Sequence, residues 1–187
     1  MNGVTLHWLD LDALNADEAA LGAQERSAAG RLLRPQVRRR FVARRCALHG
    51  IAGPVEFRSS GEPWLPGGDR CVSTSHRDRH GVIALAKDMR IGVDVERIGA
   101  VELEDAAGWL HDDERDAVLA GPRSLTLLWA GREAWLKAHG LGIAALATAP
   151  SMVTLLQSRV ATIGDSRLQT IDAPAGYLAV LALRCAS

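Results

Sequence analysis

Gly92-Val93-Asp94-Val95-Glu96 decides the reading of this chain, together with Trp129-Ala130-Gly131-Arg132-Glu133-Ala134-Trp135-Leu136-Lys137. The first stretch alternates: Ile91, Val93 and Val95 fall on one face of a strand, Asp94 and Glu96 on the other. Two carboxylates side by side repel, and a divalent cation between them relieves that cost. The second stretch has helical spacing, which puts Trp129, Glu133 and Lys137 one turn apart on one face. That face offers a third carboxylate and one cation. Three carboxylates and a lysine suit a magnesium-bound phosphate. The plainer alternatives are a solvated strand face for Asp94 and Glu96 and an ordinary i,i+4 surface pair for Glu133 and Lys137. Lysine usage weighs against the second. Lys87 and Lys137 are the only lysines in a chain that otherwise uses arginine, which points to a need for a compact, flexible ammonium in this helix.

The chain has 187 residues, 48% of them apolar, enough for a core in one domain or in two small halves. Lysine plus arginine, 22 residues, balance 22 aspartates and glutamates, so net charge argues for neither a nucleic-acid binder nor a membrane binder. Cys46, Cys71 and Cys185 are odd in number and form no C-x-x-C. They read as reduced thiols of a cytoplasmic protein, with neither a disulfide frame nor a zinc site. The stretch Met1 to Trp8 lacks the charged and apolar regions of a signal peptide. No apolar run reaches the ~18 residues of a membrane span. The expectation is a soluble, cytoplasmic protein.

Outward from the two key stretches, Val4 to Leu9 reads as an opening strand, and Asn15 or Asp17 as the cap of a helix running toward Leu33. Pro35 suits a first helical turn, and Gln36 to Leu48 reads as a second helix ending near Gly50. Val55 to Arg58 is a short strand, followed by a turn at Ser60-Gly61-Glu62-Pro63. Arg70 to Thr74, Gly81 to Ala86 and Arg90 to Glu96 read as strands, with Lys87-Asp88 turning the last pair. Val101 to His139 is helical, broken near His111 and at Gly121-Pro122, and ended by Gly140-Leu141-Gly142. Met152 to Gln157 and Gly176 to Leu183 close the chain as strands. The class is α+β.

Arg31, Arg34, Arg38, Arg39, Arg40, Arg44 and Arg45 crowd one helical region. Each alone reads as a solvated face, but together they suit a polyanion, because guanidinium forks match phosphate. Phe41 is the only aromatic among them, which favours a small phosphorylated ligand over nucleic acid. Ser75-His76 ends a strand and enters the polar loop Arg77-Asp78-Arg79-His80, where a hydroxyl and an imidazole can meet phosphate oxygens. No nucleophile elbow or acid partner makes them a catalytic pair.

These pieces together resemble the 4′-phosphopantetheinyl transferases of the Sfp type. In that family an S-H loop precedes a G-x-D-x-E strand and then a W-x-x-K-E-(A/S)-x-x-K helix. Here they stand as Ser75-His76, Gly92 to Glu96 and Trp129 to Lys137, with Ser60-Gly61-Glu62-Pro63 similar to the family's G-K-P turn. The resemblance covers about residues 31 to 142. It implies an α+β fold of two similar halves, 1–97 and 98–187, related by a pseudo-twofold, with coenzyme A in the cleft between them and a pseudo-dimeric monomer as the whole. It implies Mg²⁺ held by Asp94, Glu96 and Glu133 on the pyrophosphate of coenzyme A. Ser75, His76 and Lys137 would contact phosphate, Gly61 and Pro63 would contact coenzyme A, and Glu133 would help deprotonate the incoming serine. Arg39 and Arg40 are the choices for the 3′-phosphate.

The implied activity is transfer of 4′-phosphopantetheine to a serine of an acyl, polyketide or peptidyl carrier protein in fatty-acid, polyketide or nonribosomal-peptide assembly. Adenosine 3′,5′-bisphosphate is released. Three departures stand out: Arg132 replaces the lysine before the helix glutamate, Ser73 an asparagine before the S-H pair, and Glu62 the basic residue of G-K-P. A catalytically silent module that binds coenzyme A or a carrier protein is the alternative. A nucleic-acid-binding protein built on the arginine-rich helix is a third reading, which strongly salt-dependent DNA affinity would support.

Overall fold

The computed structural model describes residues 3–58, 61–119 and 121–185. The mixed α+β class is observed, with every strand pairing antiparallel. Strands β1 (Val4–Asp10), β4 (Arg70–Arg77) and β5 (His80–Lys87) form one sheet in the order β1-β5-β4. The short β2 (Glu56–Phe57) and β3 (Pro63–Trp64) pair with each other. Strands β6 (Met89–Arg97), β7 (Val160–Ile163), β8 (Ser166–Ile171) and β9 (Tyr177–Cys185) form the second large sheet, β6-β9-β8-β7. Helices α1 (Ala23–Gly30) and α2 (Pro35–Ala52) precede β2. Helices α3 (Leu103–Ala106), α4 (Asp112–Val118) and α5 (Pro122–Ala138) follow β6, and α6 (Thr154–Gln157) precedes β7. No helix among the described residues is long and apolar enough to cross a membrane.

The strand carrying Asp94 and Glu96 is covered on both sides. Its odd positions Ile91, Val93 and Val95 join Val82 and Ala84 of β5 and Leu181 of β9 in one core cluster. Its even positions face α5. Gly92 shows how closely the helix lies, because a Cβ there would stand 1.9 Å from the Ala134 carbonyl oxygen and 2.6 Å from the Ala138 nitrogen. Helix α5 starts at Pro122, whose missing N–H costs nothing in a first turn. It buries Leu125, Leu128, Ala134 and Leu136. Its end is a Schellman motif: Gly140, at φ +67°, donates its N–H to Lys137 O, and Leu141 donates to Leu136 O at 2.9 Å.

Strands β4 and β6 meet along a seam of serine hydroxyls. Ser73 Oγ accepts from Val93 N at 3.0 Å, Ser75 Oγ accepts from Val95 N at 3.3 Å, and the Ser75 hydroxyl donates to Asp94 Oδ1 at 2.8 Å. The buried backbone N–H groups of β6 on this side thus find side-chain partners.

Several boundaries differ from those read in the sequence. The first helical region is split into a 3-10 turn at Glu18–Ala20, where Asp17 accepts from Ala19 N, and α1, which stops before Leu33. Ser75 and His76 lie inside β4, and the turn begins at Asp78, at φ +53°. Met152 to Gln157 is not a strand. A turn leads into α6, whose short apolar run fits either structure by pattern alone. The β7–β8 hairpin was not foreseen. Ser60 lies outside the described residues, so only Gly61, Glu62 and Pro63 of its turn are placed.

Gly92→Ala should cost about 3 kcal/mol or more, at the upper end of overpacking, because helix backbone cannot yield as a side chain can. Urea denaturation of the substituted protein reads that loss directly. Gly50→Ala, a helical position with nothing near the added carbon, is the neutral control.

Candidate active site

The close approach of α5 to β6 brings Glu133 and Lys137 onto Asp94. Lys137 Nζ donates to Asp94 Oδ1 at 2.7 Å and to Val93 O at 3.1 Å, and lies 3.5 Å from Glu133 Oε2. Burial works against the ammonium charge, but Asp94 and Glu133 outweigh it and raise the lysine above its ordinary range. Glu133 is raised too, by burial first and then by Asp94, with Lys137 opposing. Glu96 is raised to about 7 by burial and by Asp94, while Arg77 pulls the other way. Arg77 Nη1 stands 3.3 Å from Glu96 Oε2.

Among the described residues no three His, Cys, Asp or Glu side chains are gathered into a metal cage. Lysine and arginine hold the three carboxylates instead. The donor set nevertheless fits a hard divalent cation. Asp94 Oδ2 and Glu96 Oε2 are buried oxygens without a hydrogen-bond partner. They belong to neighbouring carboxylates on one strand face, and Glu133 is close enough to Asp94 to shift with it.

Beside this cluster lies a cavity of about 280 Å³. Glu133 and Lys137 form one wall, Gly61, Glu62 and Pro63 another, and Arg44 projects from α2. Arg44 Nε is buried without a hydrogen-bond partner, and burial, helped by Arg45, lowers its pKa to about 10. An uncompensated guanidinium lining a cavity is an anion site by its electrostatics. His76 is surface-accessible on β4, yet surrounding protein desolvates it, and Arg44, Lys137, Arg40 and Arg77 add to the effect. The imidazole is held down at about 4, neutral at pH 7.

Residues 90–171 match the family model of the 4′-phosphopantetheinyl transferase superfamily. The match takes in β6, α5 and both motifs that build the carboxylate cluster, a little under half of the chain. It supports the superfamily and does not single out the Sfp type. No curated protein matches the chain.

The other residues singled out in the sequence are placed variously. Gly61 and Pro63 line the cavity with Glu133 and Lys137. Ser75 is buried in the seam on Asp94 rather than in the cavity wall. Arg39 and Arg40 are not brought to the site. Arg39 donates to the carbonyls of Leu11, Asp12 and Leu14, and Arg40 makes a two-pronged pair with Asp12 at 2.7 Å. Arg44 is the member of the run that reaches the cavity. Its helical offset of four from Arg40 was visible in the sequence, but nothing there ranked one above the other. Glu62 shares the cavity wall and faces Arg58 at 3.5 Å, which moderates a carboxylate beside an anion site.

The depressed His76 makes a signed prediction. The unfolded histidine titrates near its ordinary 6.5 and the folded one near 4, so the unfolded state binds more protons between those values. Stability is unaffected by this group above pH 6.5 and falls as pH drops from there toward 4. His76→Gln should flatten that part of a Tm-against-pH profile, and inorganic phosphate should oppose the fall in the parent by raising the imidazole pKa.

Proposed function

We propose that this protein is an Sfp-type 4′-phosphopantetheinyl transferase that uses coenzyme A and Mg²⁺ to modify a serine of an apo acyl, polyketide or peptidyl carrier protein. One observation carries the reading. Carboxylates from two elements, Asp94 and Glu96 on β6 and Glu133 on α5, converge with Lys137 at the edge of a cavity that also receives the unpaired Arg44. The match of residues 90–171 to the transferase superfamily supports it.

In this reading the cavity takes coenzyme A, with its pyrophosphate toward Lys137 and its remaining phosphate toward Arg44, while neutral His76 offers a hydrogen bond. Mg²⁺, held by Asp94, Glu96 and Glu133, would neutralise pyrophosphate charge. Lys137 stabilises the leaving phosphate as charge develops there. Glu133, at the edge of the cluster, accepts the serine proton. The serine oxygen bonds to the phosphorus that bears pantetheine, the bond to the bridging oxygen breaks, and adenosine 3′,5′-bisphosphate leaves. The same reading divides the chain into halves 1–97 and 98–187 about a pseudo-twofold, as a cytoplasmic pseudo-dimeric monomer.

Intact-mass spectrometry of an apo carrier protein incubated with this protein, coenzyme A and Mg²⁺ tests the reaction. A gain of one phosphopantetheine is expected, lost with Asp94→Ala and with Glu133→Gln. No gain across several carriers, from folded protein that still binds coenzyme A, points to the silent module. Arg44→Ala should raise KM for coenzyme A about tenfold, the loss of one charge-assisted contact. Arg39→Ala should leave KM unchanged and lower Tm, because its partners are structural carbonyls.

A further inference from the structure

Five members of the arginine run have destinations within the fold. Arg38 makes a two-pronged pair with Glu18 at 2.7 Å, and Arg39 and Arg40 hold the segment Leu11 to Leu14. Arg44 lines the cavity, and Arg45 lies over the Phe57 ring, 3.6 Å from its centroid. Arg31 and Arg34 are left over. Both are exposed, and neither pairs with a carboxylate among the described residues; Arg31 donates to the Ser27 hydroxyl at 3.2 Å. Between them stands Leu33, 94% exposed, and one turn on is Val37, 45% exposed. No other large apolar side chain among the described residues is as exposed as Leu33.

Helix position explains why this leucine is free. It precedes the N-cap Arg34, a place from which an apolar side chain commonly packs on the fourth helical residue. That residue is Arg38, which is drawn off to Glu18. The start of α2 adds to the positive field, since its first turn has no acidic residue and no side-chain cap. The patch is an apolar centre with a cationic rim. It fits an acidic amphipathic helix whose apolar face lies on Leu33 and Val37 while its carboxylates meet Arg31 and Arg34. A second copy of this chain docked by the same patch would set arginine against arginine. Two aliphatic side chains are too few to anchor the protein on a lipid surface. No aromatic residue lies between Arg31 and Val37 to stack a nucleic-acid base.

The patch is also in line with the candidate site. Val37 and Arg44 are nearly two turns apart on α2, so they share one face of that helix, about 10 Å apart along its axis. We propose that Leu33 and Val37, framed by Arg31 and Arg34, form the surface on which the carrier protein docks through an acidic amphipathic helix. The proposal rests on the transferase reading, which supplies the macromolecular partner.

Steady-state transfer to an apo acyl carrier protein, at saturating coenzyme A and Mg²⁺, tests the surface. The double variant Arg31→Glu, Arg34→Glu should raise KM for the carrier about tenfold, and Leu33→Ser about fivefold. KM for coenzyme A, kcat at saturating carrier and Tm should stay unchanged, because these side chains are exposed and none lines the cavity. Added salt should raise the parent's KM for the carrier and the double variant's much less. An unchanged KM for the carrier in both variants, with transfer intact, overturns the docking surface and leaves the transferase reading standing. Variants that lose binding to duplex DNA or to phosphatidylserine vesicles, while KM for the carrier holds, give the patch to that partner and overturn the proposal likewise. Absence of transfer by the parent to any of several carriers overturns the transferase reading and this proposal together.

Discussion

The packing of α5 against β6 at Gly92 is the constraint on which the site depends. Helix backbone touches strand backbone there with no side chain between them. Only at that distance does Lys137 reach both Val93 O and Asp94, and only then does Glu133 share the electrostatics of the strand carboxylates. A larger residue at 92 would part the two motifs. The serine seam serves the same end from the other side, holding β4 on β6 and fixing one oxygen of Asp94. Asp94 is therefore oriented from two directions, with its second oxygen left over.

The charges around this junction are arranged in opposition. Carboxylates that repel one another are held by Lys137 and Arg77, while Arg44 lines the cavity without an acidic partner among the described residues. Burial raises Glu96 and Glu133 and lowers Arg44 and His76, so each group is biased toward its neutral form. A dianionic ligand with a divalent cation would relieve both imbalances at once. Such mutual frustration is common where a protein is shaped for a bound state.

Much of this was legible in the sequence because it depends on periodicity. The alternation at Ile91 to Glu96, the three-way break of the helical region at His111 and Gly121-Pro122, and the glycine stop after α5 all follow from local rules, and all are observed. Side-chain destinations were not legible. Arg39, Arg40 and Arg44 look equivalent in a run of arginines, yet only the folded chain decides that two serve carbonyls and Asp12 while the third lines the cavity. Ser75 looked like a loop hydroxyl because β4 was read too short. The β7–β8 hairpin did carry a signal, Gly164-Asp165 between Ile163 and Ser166, with Gly164 at φ +60° as a tight two-residue turn requires. That Arg132, where the family has lysine, stacks on Trp109 in the interior depends on contacts far apart in the chain.

The proposed function requires that Asp94, Glu96 and Glu133 exchange their internal cation partners for a metal when coenzyme A is bound. The direct measurement is an anomalous difference map from crystals grown with coenzyme A and Mn²⁺. A peak is expected among these three carboxylates, with the pyrophosphate beside it and Lys137 moved onto phosphate. Ordered coenzyme A with no anomalous density there, and Lys137 still on Asp94, would contradict it.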